Sequence, residues 1–231
     1  MRKKDKVGVV IPAAGIGTRF GGEKPKQLIA INGIPILQLT IQKFQECDAI
    51  DFIVIASHSD YFDDIKQLVQ SENLTKVKSV VVGGKHRQDS VWSGINEIVK
   101  FDVDILLIHD AVRPFVSNKI ISNVIQAVKE YEAAIPAVAP KDTIKISDDD
   151  GFFINTLDRN ILFAVQTPQG FKTKIIIEAF QKAYADKFYG TDDSSLVERL
   201  GKKVKIVEGD YGNIKITTKE DFEYASYLYR S

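Results

Sequence analysis

Val7-Gly8-Val9-Val10-Ile11-Pro12-Ala13-Ala14-Gly15-Ile16-Gly17-Thr18-Arg19-Phe20-Gly21-Gly22, followed closely by Lys24-Pro25-Lys26-Gln27, is the stretch on which the reading of this 231-residue chain turns. Residues 7 to 11 form a short, β-branched apolar run, the pattern of a strand buried on both faces. Small residues directly after such a strand let backbone N–H groups approach a phosphate closely, and Arg19 and Lys26 can supply the charge to neutralise it. Two better-known phosphate loops do not fit. A dinucleotide fingerprint requires GxGxxG opening a helix, with an acidic residue about 20 positions on at the end of the second strand. Here the third glycine is displaced, Pro25 interrupts any early helix, and the second candidate strand ends in Ser57-His58. The GxxxxGK[ST] string of a P-loop does not occur in the sequence.

Outward from this loop, short apolar runs alternate with longer segments of helical period, which predicts an α/β fold: a mostly parallel, Rossmann-like sheet covered by helices on both faces. Candidate strands are Val7 to Ile11, Phe52 to Ala56, Lys78 to Val82, Ile105 to His109 and Ala133 to Ala139; candidate helices lie near Ile36 to Glu46, Tyr61 to Gln70, Ser90 to Val99 and Asn118 to Tyr131. The rhythm then breaks. Thr143 to Ile146, the turn Ser147-Asp148-Asp149-Asp150-Gly151 and Phe152 to Thr156 read as a β-hairpin whose apolar side chains ask for cover. Helices near Thr173 to Tyr184 and Ser194 to Leu200, a strand at Lys203 to Val207 and a helix near Lys219 to Tyr229 complete one domain spanning residues 1–231, with 142–160 as a protruding arm.

The 31 basic and 31 acidic residues cancel, so no net field draws the protein to nucleic acid or to an anionic membrane, and phosphate chemistry must depend on a local cluster. Neither partner is expected. A single cysteine, Cys47, excludes an intrachain disulfide and a cysteine-based zinc pattern, which fits a reducing cytoplasm. His58, His86 and His109 lack metal-ligand spacing and read as solvated or structural. The apolar run Val7 to Ala14 is too short and too interrupted by glycine for a signal or a membrane span.

Further strings carry a resemblance. Gly83-Gly84-Lys85-His86-Arg87-Gln88-Asp89-Ser90-Val91, His109-Asp110-Ala111-Val112-Arg113-Pro114-Phe115, Lys141-Asp142-Thr143-Ile144-Lys145 and Asn213-Ile214-Lys215-Ile216-Thr217, together with the opening loop, resemble the nucleotidyltransferases that activate sugars and polyols, and among them the cytidylyltransferase branch. Asp158-Arg159-Asn160, Ala164-Val165-Gln166-Thr167-Pro168 and Thr191-Asp192-Asp193 favour the methylerythritol phosphate cytidylyltransferase family over the ribitol 5-phosphate cytidylyltransferases, which share the other stretches. The order and number of these strings, covering nearly the whole chain, give the resemblance its force.

The resemblance implies transfer of a cytidylyl group from CTP to a polyol phosphate, with Mg²⁺ as cofactor, in a homodimer. It assigns Arg19 and Lys26 to the triphosphate and Lys215 to charge at the α-phosphate. Asp110, at the end of its strand, becomes a Mg²⁺ ligand or orients a substrate hydroxyl while Mg²⁺ rides on the phosphates. The CTP-binding positions that match are Ala13, Ala14, Gly15, Gly17, Gly83, Gly84, Lys85, Ser90 and Ala111, the Gly-Gly turn reading cytosine through backbone groups. Arg113, Thr143, Arg159, Thr167 and Thr191 match the polyol phosphate positions, with Thr143 and Arg159 carried by the arm to the neighbouring subunit's site. Read without the family, Asp110 is also a turn cap, and Ser90 or Asp89 a helix N-cap. A catalytically inactive nucleotide-binding dimer is the alternative of a different class, against which Arg19, Lys26, Asp110 and Lys215 argue. The family's domain is sometimes fused to a cyclodiphosphate synthase; with the chain ending at Ser231, no such fusion is expected.

Overall fold

The computed structural model describes residues 4–15 and 25–230; Gly17 and Arg19 of the glycine-rich loop lie outside the described residues. In chain order the elements are β1 (Val7–Ala13), β2 (Ala30–Ile31), β3 (Ile34–Pro35), α1 (Ile36–Gln45), β4 (Phe52–Ser57), α2 (Phe62–Ser71), β5 (Val77–Val82), α3 (Arg87–Ile98), β6 (Ile105–Ile108) and α4 (Asn118–Tyr131). There follow β7 (Ala133–Val138), β8 (Lys145–Ser147), β9 (Phe153–Thr156), β10 (Ala164–Val165), β11 (Gln169–Lys172), α5 (Thr173–Ala185), α6 (Asp193–Glu198), β12 (Lys205–Glu208) and α7 (Lys219–Arg230).

One twelve-to-five ordering organises the main sheet: β12 and β7 pair in parallel, β11 lies between β7 and β6, and β6, β1, β4 and β5 continue in parallel. The run Val7–Ala13 shows why helices cover both faces. Val9 and Ile11 pack with Leu37, Ile41, Phe44 and Ile121 from α1 and α4, whereas Val10, one residue out of phase, packs with Val91 and Ile95 of α3. On that side α3 comes so close that a Cβ on Gly94 would collide with the Val10 side chain, so a glycine is required there. A smaller cluster joins Ala225 of α7 to Ile31, Ile36, Val112 and Ile216. Among the described residues no helix is long and apolar enough to cross a membrane.

The mostly parallel sheet forms as expected, with two antiparallel strands in it: β10 and β11 run antiparallel to β7, end to end along one of its edges, and β11 is also antiparallel to β6. Neither strand was anticipated, because two residues, or four including Gly170, carry almost no periodicity. Helix α3 begins three residues before Ser90. Its N-cap is His86, whose backbone N–H donates to Asp89 Oδ2 at 3.0 Å, so neither Ser90 nor Asp89 is the N-cap. The hairpin forms, but its first strand is Lys145–Ser147 and leaves Thr143 outside.

Candidate active site

Strands β1, β4, β5 and β6 are parallel, so their carboxyl ends share one edge of the sheet, where open α/β folds bind ligands. Two cavities open there. The first, about 370 Å³, is lined by Ala13, Ala14 and Gly15 after β1, by Lys26, by Gly84, Lys85 and Ser90 around the start of α3, and by Asp110, Ala111 and Lys215. The second, about 440 Å³, is lined by Arg113, Gln166, Thr167, Gln169, Thr191 and Ser194, among others. Arg87, Asp110 and Lys215 line both. They form the wall between them.

The loops around the first cavity are held by specific bonds. Gln27 is buried, and its Nε2 donates to the carbonyls of Ala13 (2.6 Å) and Gly15 (2.9 Å), fixing where the chain leaves β1. The Gly83 N–H donates to Ser57 O at 2.7 Å, and a Cβ on Gly83 would lie 2.6 Å from that of Ala14 and 2.7 Å from Ser90 Oγ. The Ser90 hydroxyl accepts from Gly84 N at 3.1 Å, so it secures the Gly-Gly turn from beneath.

The shared wall is an ion cluster. Lys215 Nζ lies 2.9 Å from Asp110 Oδ2, Arg113 Nε 3.4 Å from the same oxygen, and Arg87 Nε 3.3 Å from Oδ1; Arg87 Nη2 reaches Asp193 Oδ2 at 2.8 Å. Burial alone would push the Asp110 carboxyl up, but Arg87, Lys215 and Arg113 together hold it well below the usual carboxylate range. Asp110 is therefore an anion, paired with three cations.

Behind the wall the fold fixes each member. Thr167 Oγ1 accepts from Asp110 N at 3.1 Å and lies 3.0 Å from His109 Nδ1, while His109 Nε2 pairs with Arg113 O at 3.0 Å. Burial pushes His109 down to about 4, leaving a neutral, structural imidazole. Arg113 Nη1 donates to Asn213 O at 2.7 Å. The Ile216 N–H donates to Val112 O at 3.0 Å, which sets Lys215 opposite Asp110.

Of the expected residues, Ala13, Ala14, Gly15, Lys26, Gly84, Lys85, Ser90, Asp110, Ala111 and Lys215 meet in the first cavity, and Arg113, Thr167 and Thr191 in the second; Gly83 lines neither and directly precedes Gly84. Thr143 and Arg159 line neither. They sit on the arm, where the guanidinium of Arg159 donates to Lys141 O at 2.8 Å. Arg87, Gln27, Asp193 and Asn213 were missed. Arg87 lies in the polar run before the expected helix start and Asp193 is a second Asp beside a cap, so neither carries a distinct signal. For Mg²⁺, no group of three His, Cys, Asp or Glu side chains converges among the described residues. Asp110 supplies the carboxylate that lines the first cavity, and this donor set fits an ion held by one carboxylate and by substrate phosphates.

A mostly parallel sheet with a Gly/Ala loop after its first strand, lysines around that loop and an ion-cluster wall between two cavities is the arrangement of a nucleotidyltransferase. The chain belongs to the 2-C-methyl-D-erythritol 4-phosphate cytidylyltransferase family, whose sequence pattern it matches over residues 7–231. It is 46% identical over 223 residues to the enzyme of that name from Clostridium perfringens, covering 96% of this chain and 98% of the relative. The Syntrophus aciditrophicus enzyme is 46% identical over 219 residues, covering 94% and 93%. The crystal structure of 4-diphosphocytidyl-2C-methyl-D-erythritol synthase from Anaerococcus prevotii superimposes with a TM-score of 0.87 at 32% identity, covering 99% of this chain and all of that one.

Proposed function

We propose that the chain transfers the cytidylyl group of CTP to 2-C-methyl-D-erythritol 4-phosphate, giving 4-diphosphocytidyl-2-C-methyl-D-erythritol and pyrophosphate in the non-mevalonate route to isoprenoids. The observation that carries this reading is the pair of cavities sharing the wall of Arg87, Asp110 and Lys215, since joining two anionic substrates needs two sites that meet at a cationic boundary. A phosphate monoester has its second pKa at about 6, so at neutral pH the acceptor needs no general base. An oxygen of the acceptor phosphate bonds to the α-phosphorus of CTP, the bond from that phosphorus to the bridging oxygen breaks, and pyrophosphate leaves with the electron pair. Lys26 and Arg19 bind the triphosphate, Lys215 offsets charge at the α-phosphate, and the loops around Gly83-Gly84 and Ser90 select cytosine. Mg²⁺, when bound, neutralises phosphate charge beside Asp110. Arg113 and Thr191 face the acceptor.

In this reading the protein works as a homodimer in the cytoplasm. Support for the dimer comes from the arm, where Phe152, Phe153 and Ile154 are 69%, 72% and 63% exposed, an apolar area that a second copy would cover. Thr143 and Arg159 then serve the neighbouring site. The test is pyrophosphate release with CTP, ATP or GTP against methylerythritol phosphate and ribitol 5-phosphate side by side. CTP with methylerythritol phosphate is expected to be far the fastest pair; equal use of a purine triphosphate, or faster use of ribitol 5-phosphate, overturns the assignment.

A further inference from the structure

Arg87 has no role in the scheme above, yet its geometry is more demanding than that of a surface arginine. It is the residue after the N-cap of α3, it lines both cavities, and its side chain is 33% exposed. Asp193, only 2% exposed, holds Nη2 from behind at 2.8 Å, and Asp110 holds Nε at 3.3 Å. Among the described residues these are the two hydrogen bonds its side chain makes, out of five N–H groups a guanidinium can donate. The remaining donors belong to a planar fork whose orientation is set by carboxylates on two of its edges. A buried aspartate at the N-terminal turn of α6 is a costly device unless the cation it holds has a use in that position.

The neighbourhood reinforces this. The segment bearing Asp193 is tied to the start of α3 at several further points: Gln88 Nε2 donates to Phe188 O at 3.1 Å, Gly190 N to Gln88 Oε1 at 2.9 Å, and Tyr184 Oη to Asp89 Oδ1 at 2.9 Å. Arg87 is thus held by one rigid unit that forms part of both cavities. In the wall, Arg87, Arg113 and Lys215 face Asp110 and Asp193, which leaves one positive charge unmatched before any substrate enters.

We propose that Arg87 is a further catalytic residue, which donates to the anionic oxygens of both substrates where the two cavities meet, and that Asp193 is its positioning residue. On this reading the cation count at the reacting phosphorus rises by one. Lys215 approaches Asp110 at Oδ2 and Arg87 at Oδ1, so the two cations reach the junction from different sides of the same carboxylate. A planar group pinned at two edges loses little freedom when it engages a phosphate, and so contributes more to the transition state than a mobile side chain would.

The proposal rests on the cytidylyl-transfer reading, and turnover by the unaltered protein with CTP and methylerythritol phosphate tests that reading separately. The variants are Arg87→Gln, Arg87→Lys, Asp193→Asn and the double variant Arg87→Gln/Asp193→Asn, each measured for kcat, both KM values and melting temperature. Expected are a kcat loss of about 10²-fold for Arg87→Gln, partial retention for Arg87→Lys, a smaller loss for Asp193→Asn, and no further loss when Asp193→Asn is added to Arg87→Gln. In two further variants, Arg87→Ala and Lys215→Ala, added guanidinium below denaturing concentration should restore part of the turnover of the first and none of that of the second. A kcat within a few-fold of normal in folded Arg87→Gln overturns the proposal. If Arg87→Gln melts early, Arg87→Lys decides: unchanged kcat, or a loss that tracks melting temperature alone, makes the pair structural and the proposal wrong.

Discussion

The two cavities that meet at Asp110 are made of different material. The first owes its shape to backbone and small side chains, Ala13, Ala14, Gly15 and Gly84, whereas the second is walled by longer polar ones, Arg113, Gln166, Gln169 and Glu198. A wall of main-chain groups keeps its shape without support and selects a flat base by size and by fixed dipoles. A wall of side chains offers more charge and more hydrogen bonds, but each member has to be held. Gln169 is held by Asp192 at 2.7 Å, Gln166 by Asp210 O at 2.7 Å, and Arg113 by Asn213 O at 2.7 Å. The difference teaches where each half is fragile: the first, which on the proposed reading takes the nucleotide, to added bulk, and the second, which takes the acceptor, to lost partners.

The largest effect should come from the wall common to both. Lys215→Ala removes a cation from the place where negative charge develops, so kcat should fall about 10²-fold or more with a smaller change in either KM. Steady-state kinetics with each substrate varied in turn checks this; a near-normal kcat would mean that the reaction occurs away from the junction.

Next is the acceptor half, which on the dimer reading is incomplete in one subunit. Arg159→Ala and Lys26→Ala parents should each lose most of their activity, yet a mixture allowed to exchange subunits should recover roughly a quarter of wild-type sites under closed two-fold symmetry. Verified exchange without recovery would confine Arg159 to its own chain.

The smallest effect concerns the backbone half alone. A methyl on Gly83 would meet Ala14 Cβ and Ser90 Oγ at 2.6 and 2.7 Å, so Gly83→Ala should raise the KM for CTP roughly tenfold, the usual scale of overpacking, and leave that for the polyol phosphate unchanged. Equal rises in both would show that the halves cannot be separated.

The same contrast governs what could be read from the sequence. Glycines after a strand announce a backbone-built site, and long periodic segments announce their elements: the helix expected at Asn118 to Tyr131 forms over that span. Asp110 was legible because a carboxylate after a buried strand falls at the sheet's carboxyl edge. The antiparallel β11 was not, because Gln169-Gly170-Phe171-Lys172 lacks both alternation and β-branched residues. Arg87 was hidden because the polar run Lys85 to Gln88 pushed the expected helix start to Ser90. Thr167 shows a subtler difference: its hydroxyl, matched to a substrate position by resemblance, is engaged with Asp110 N and His109 Nδ1. Such a role arises from a junction between two short strands that sequence periodicity does not reveal.

The shared wall also bears on how such a protein changes over evolutionary time. Thr191 and Glu198 line the second cavity and not the first, whereas Asp110 and Lys215 line both. On the proposed reading, substitutions at the first pair can alter the accepted polyol while CTP recognition and phosphorus chemistry stay intact. Those at the second pair disturb everything at once. A lineage can therefore diversify its acceptors by drift along one side of the partition, which makes the partition itself the part of the molecule least open to innovation.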